Sequence, residues 1–185
     1  MLIDLIILVI LIWAFLVGYS RGLFLQAIYS FGTLFALLIA SLNYQNFAHT
    51  ISSWIPFASA TQDSQLYFFS DKLLFQLDNA FYAGLAFLMI YVVVYFIIRF
   101  IGIFLTFAKQ NILGRQGKII AGILSIFASF FGLQIFFTIL ALVPMASLQA
   151  HLHASFLVRL MVLHTPLFSG LLQNLFITNI THLKP

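Results

Sequence analysis

The sequence predicts an all-α, polytopic integral membrane protein: a helical bundle of about four transmembrane helices followed by an amphipathic helical tail. Three observations predict it. Charged residues make up only 6% of the 185-residue chain, and its mean hydropathy is +1.13, whereas soluble domains carry roughly 25% charged residues. Four apolar runs approach or exceed the roughly 20 residues a helix needs to cross a ~30 Å hydrocarbon core. Within them small residues recur at steps of four, a spacing that lets helix backbones approach closely in lipid.

The same composition narrows the chemistry. A chain this short and apolar reads as one membrane domain over residues 1–185, with no room for a soluble catalytic domain. The formal net charge is +4, but the basic residues are sparse and not interleaved with aromatics, so nucleic acid is not an expected partner. The basicity reads instead as membrane orientation. With no cysteine, disulfides, thiolate chemistry and sulfur-ligated metals are excluded. The expected surroundings are the lipid bilayer.

The first span runs over about 2–19. It has no basic leader, carrying Asp4 instead, and Val17-Gly18-Tyr19 is not a small-x-small cleavage site, so it is expected to be retained. The polar break Gly18-Tyr19-Ser20-Arg21-Gly22 reads as a hairpin tip, its turn set by Gly18 and Gly22 and held on the water side by Arg21. The second span, 23–42, carries Gly32, Ala36 and Ala40 on one face as a candidate helix-packing stripe. A polar segment over 43–79 reads as an aqueous loop, with an interfacial helix near 66–77. The third span covers about 80–100, and at Arg99 the helix either stays long and tilted or bends. A basic loop with Lys109, Arg115 and Lys118 precedes the fourth span, 119–143. Gly117, Ala121, Ser125 and Ser129 fall there at steps of four and read as the main helix–helix contact; Pro144 ends it.

The tail, 145–185, divides at Thr165-Pro166 into two amphipathic pieces. Leu148, Leu152, Phe156, Leu160 and Leu163 line one face of the first. Leu167, Phe168, Leu171, Leu172, Leu175 and Phe176 line the second, opposite Ser169, Gln173 and Asn174. Both are expected to lie in the interface or against the bundle. The positive-inside rule places the hairpin tip and the basic loop in the cytoplasm and both termini outside.

Few constellations carry chemistry. All four acids, Asp4, Asp63, Asp71 and Asp78, fall toward the outer side, so no carboxylate is expected within the bilayer and a carboxylate-based cation carrier is disfavoured. Arg99, Lys109, Arg115 and Lys118 form a candidate anion or lipid-headgroup site. Gly114-Arg115-Gln116-Gly117-Lys118 lacks the spacing of a phosphate loop, and Ile119 stands where Ser or Thr is needed. His151, His153, His164 and His182 lack completing ligands, so no metal is expected. No catalytic set and no cofactor are read from the residues, and the chain is not expected to be an enzyme.

Asp4-Leu5-Ile6-Ile7 followed by Gly18-Tyr19-Ser20-Arg21-Gly22-Leu23 resembles the amino-terminal signature of the bacterial colicin V production (CvpA) proteins. Lys118-Ile119-Ile120-Ala121-Gly122-Ile123-Leu124-Ser125 is similar to the segment opening that family's last span, with Ala121 and Ser125 standing where glycines are more usual. Pro144, Ser155, His164-Thr165-Pro166 and Ser169 resemble the tail of Gram-positive members. The resemblance implies a bacterial cytoplasmic-membrane protein associated with production or export of a peptide toxin. It transfers no catalytic residues. An accessory scaffold using its small-residue ridges to bind a membrane-protein partner or itself fits best; a small-solute or lipid channel is the alternative.

Overall fold

A computed structural model describes residues 2–55, 66–69, 73, 76–105, 113–166 and 168–181. Among the described residues, four helices are long and apolar enough to cross a membrane: α1 (Leu2–Arg21), α2 (Leu23–Ser52), α3 (Leu77–Leu105) and α4 (Gly114–Leu140). They alternate in direction, which sorts the bundle into two ends. Asp4, Ser52, Asp78 and Leu140 mark one end; Arg21, Leu23, Arg99 and Gly114 mark the other, basic one. α1 carries Asp4 in its first turn and Arg21 in its last, each sign complementing the helix dipole.

The break between α1 and α2 is narrower than the sequence suggests. Gly22 alone leaves the helical path, at φ 84°, a region that suits glycine because it has no Cβ. Gly18, Tyr19 and Ser20 are helical. Gly18 is therefore not part of the turn: it is buried in α1 against α4.

Helix α2 also runs ten residues beyond its expected end, so 43–52 is helix rather than loop. Nothing in that stretch is a glycine or proline, and its polar side chains bond back to the helix: Asn43 Nδ2 donates to the Ile39 carbonyl at 2.9 Å and Ser52 Oγ to that of His49 at 2.9 Å. Thirty residues at 1.5 Å each give α2 about 45 Å, longer than the hydrocarbon core, so its polar end projects past it. Helix α3 continues without interruption past Arg99 to Leu105. Helix α4 stops at Leu140, four residues before Pro144, which has no N–H to bond the Leu140 carbonyl and whose ring clashes with it. Gln149 Nε2 caps the freed carbonyls of Ala141 and Val143 at 2.8 and 2.9 Å.

Helices in lipid are held by close packing and hydrogen bonds rather than by hydrophobicity. The most extensive contact is between α2 and α3, and the α1–α4 contact comes second. The fourth-span ridge is thus not the main contact. The difference follows from length, since α2 and α3 lie side by side over nearly 30 residues each.

The tail enters the bundle. Helix α5 (Ala146–Ala154) leads to α6 (Phe156–Arg159), which widens into a π-helical turn (Leu160–His164); α7 (Phe168–Gln173) follows, widens likewise (Asn174–Thr178) and closes with α8 (Asn179–Thr181). The limbs meet at a 70° bend. Pro166 at the bend has no N–H to give, and side chains meet the last carbonyls of the first limb. Thr165 Oγ1 donates to Leu160 O at 3.0 Å, Gln134 Nε2 of α4 to Met161 O at 2.7 Å, and Gln173 Nε2 to Val162 O at 3.0 Å.

The tail both leaves and regains the acidic end. Ser155 Oγ donates to Asp4 Oδ1 at 2.7 Å, and Asn179 shares a pocket with His49, Ser52 and Asn79. Between these points Phe168 stacks on Phe131 of α4 at 4.0 Å, about 14 Å along α4 from its end. The tail is therefore a re-entrant hairpin rather than a fifth span. Its buried face matches the expected stripe only in part: Leu152, Leu172 and Phe176 are buried, but Phe156 is 63% exposed and Leu160 36%, while Val158, Met161, Val162 and Ile177 are buried instead. The break at Ser155 and the wider π-turns rotate the register. Ser169, expected on the polar face, is buried and donates to Thr165 O at 2.7 Å.

Candidate functional site

The strongest concentration of unusual chemistry lies at the basic end. Arg21 stands in the last turn of α1, and Arg99 reaches across from α3. Both approach the ring of Tyr29 from α2, with the two guanidinium carbons 5.0 and 5.5 Å from its centroid. Both distances allow cation–π attraction. Arg99 also sits 5.6 Å from the Tyr95 ring and donates to the Tyr95 hydroxyl at 3.3 Å. Tyr29 is buried, and its ring fills a notch on α3: a Cβ added to Gly102 would overlap it. The aromatic platform is therefore fixed in place.

Two cavities meet at this pair. One of ≈ 590 Å³ lies between α1, α2 and α3, with Ser20, Arg21, Tyr29 and Arg99 on its polar side and Phe96 and Phe100 on its apolar side. A smaller one of ≈ 210 Å³ lies between α1, α3 and α4, bordered by the same two arginines and by Trp13, Ser125 and Ser129. The acids among the described residues, Asp4 and Asp78, stand near the opposite ends of α1 and α3. At 1.5 Å per residue they are about 25 and 30 Å away from Arg21 and Arg99.

The remaining expected site residues divide by role. Of the fourth-span ridge, Gly117, Ala121 and Ser125 are buried and Ser129 is half-buried. A Cβ on Gly18 would lie 2.5 Å from Ser125 Cβ and 2.6 Å from the Ala121 carbonyl oxygen, and one on Gly122 would run into the Phe15 ring. On α2, Ala36 and Ala40 are fully buried, and a Cβ on Gly32 would meet Ile98 of α3 at 2.5 Å. These stripes are occupied by helices of the same chain. Of the candidate headgroup residues, Arg115 and Lys118 are exposed on the first turns of α4, with Lys118 6.0 Å from the Tyr19 ring; Lys109 lies outside the described residues. The structure thus joins Arg99 to Arg21, which the sequence assigned to the turn, and not to Arg115 or Lys118.

Tyr29, Tyr95 and Gly102 were not singled out from the sequence. Tyr95 stands one helical turn before Arg99, a spacing that could have paired them; nothing local connects Tyr29 to either arginine. The histidines serve separate places: His153 packs beside the Tyr67 and Phe68 rings, and His151 Nδ1 lies 2.6 Å from Ser147 O. No group of three potential metal ligands comes together among the described residues.

Four spanning helices, a basic end and a re-entrant tail define a multi-pass integral membrane protein. The family model described as Colicin V production protein matches residues 3–166, and the chain belongs to that family. It is similar to the "Uncharacterized transmembrane protein YshB" of Bacillus subtilis (strain 168), with 29% identity over 178 residues, covering 95% of this chain and 97% of the relative. No solved structure matches. The chain is a multi-pass bacterial membrane protein.

Proposed function

We propose that this protein is a non-catalytic accessory factor in the production or export of a peptide toxin, acting as a membrane-embedded scaffold. Membership of the colicin V production family over residues 3–166 carries this reading. The build of the bundle supports it. Buried polar side chains are used to tie segments together, as Gln134 ties α4 to the tail and Tyr44 Oη ties α2 to Leu175 O at 3.0 Å. The small-residue stripes hold the protein's own helices, so a partner helix or second copy would meet the outward face of α1, where Leu5, Val9, Ile12, Trp13 and Leu16 are exposed.

A second reading, a small-solute or lipid channel, is favoured by one observation: non-helical backbone at membrane depth is tolerated where it is buried in protein or lines a cavity, and this chain has a re-entrant hairpin. Deletion of the protein in a toxin-producing host separates the two. The scaffold reading expects secreted toxin to fall and cell-associated precursor to accumulate, with restoration by the wild-type chain. Unchanged secretion accompanied by altered solute uptake would overturn it in favour of the channel.

A further inference from the structure

Arg21 and Arg99 come from different helices, approach one tyrosine ring, and meet no carboxylate among the described residues. Two like charges directed at one small space at the edge of hydrocarbon repel each other more strongly than they would in water. An anion between them removes that repulsion. Guanidinium groups are suited to the task, because each offers a planar fork of donors that matches phosphate oxygens. The site is also built rather than incidental, since Gly102 of α3 makes room for the Tyr29 ring that supports both cations.

The walls indicate what carries the anion. Beside the arginines the ≈ 590 Å³ cavity is bounded by Phe96 and Phe100, which are 67% and 64% exposed on the outward side of α3. A group placed here would have its charged part on the arginines and its apolar part along these rings, in the bilayer. A free ion would leave the apolar side unused. We propose that Arg21 and Arg99, set over Tyr29, form a binding site for the phosphate of an anionic phospholipid headgroup, whose acyl chains run along Phe96 and Phe100.

Native mass spectrometry of the full-length chain released from vesicles of equal phosphatidylglycerol and phosphatidylcholine tests this. Phosphatidylglycerol is expected to be retained preferentially. Arg21→Gln and Arg99→Gln should each lower its retention about tenfold or more, as expected for the loss of a charge-assisted hydrogen bond to phosphate. Lys118→Gln, exposed and outside the cavity, should leave retention unchanged. Arg99→Lys, which keeps the charge without the fork, should fall between wild type and Arg99→Gln, and it serves if the glutamine variant does not fold. Equal loss in Lys118→Gln would reduce the effect to general surface attraction and overturn the site. So would equal retention of the two lipids. Arginine-dependent binding of inorganic phosphate with no preference for lipid would overturn the phospholipid assignment in favour of a free anion.

Discussion

At Gly18 a single methyl group decides how closely α1 can lie on α4. An added Cβ would stand 2.6 Å from the Ala121 carbonyl oxygen and 2.5 Å from Ser125 Cβ. The first of these is backbone and cannot rotate away. Gly18→Ala is therefore expected to destabilise the bundle by about 1–3 kcal/mol, the range for overpacking a well-filled contact. Gly170→Ala, with no atom within 4 Å of the new Cβ, should be neutral or slightly stabilising, since alanine is the better helix former. Thermal unfolding of both variants in one detergent checks the pair; equal behaviour would show that Gly18 is not a packing position. The sequence signal at Gly18 was misleading for a physical reason. A glycine beside polar residues looks the same whether it turns the chain or admits a neighbour, and its neighbour here is more than 100 residues away. Gly22, read from the sequence in the same way, does turn the chain, at φ 84°.

Among the elements, the four spans were legible because each is a long apolar run, and the two limbs of the tail because Thr165-Pro166 divides them. The way the tail packs was not. Helical-wheel reasoning assumes 3.6 residues per turn, and two π-turns with a break at Ser155 displace the face it predicts, burying Val158 and Met161 while exposing Phe156. Nor could sequence show that Asp4, at the start of α1, would hold the start of α6. Its Oδ1 accepts from Ser155 Oγ at 2.7 Å and from Leu157 N at 2.9 Å, a carboxylate at a helix N-terminus, where the dipole favours negative charge. Hydrogen bonds to a charged group contribute about 1.5–3 kcal/mol, so Asp4→Ala should loosen the first limb locally. Hydrogen–deuterium exchange is expected to rise over Phe156–His164 and stay unchanged in the middle of α3. Uniform exchange across the chain, or none, would show that the carboxylate does not hold the hairpin.

For the molecule as a whole, both the pair at the basic end and the membrane topology depend on how the ends are sorted. The candidate site was legible only in part. Arg99 could be read as an anion ligand, but its partner Arg21 lies 78 positions earlier in the sequence, and only the alternating directions of the helices, which leave α1 and α3 parallel, bring the two arginines to the same end. The same arrangement has a testable consequence for the tail. A fifth span would carry Asn179 to the basic end. In the re-entrant fold Asn179 shares a pocket with His49 and Asn79 at the acidic end. Single cysteines can be introduced without a background, because the native chain has none. Ser20→Cys and Gln116→Cys should react with an impermeant thiol reagent from one side, which the positive-inside rule makes the cytoplasm. Ser53→Cys, Ser147→Cys and Asn179→Cys should react from the opposite side. Labelling of Asn179→Cys together with Ser20→Cys would turn the hairpin into a broken span, and with it would fall the argument that the tail dips about 14 Å, at 1.5 Å per residue, to meet Phe131 and then returns.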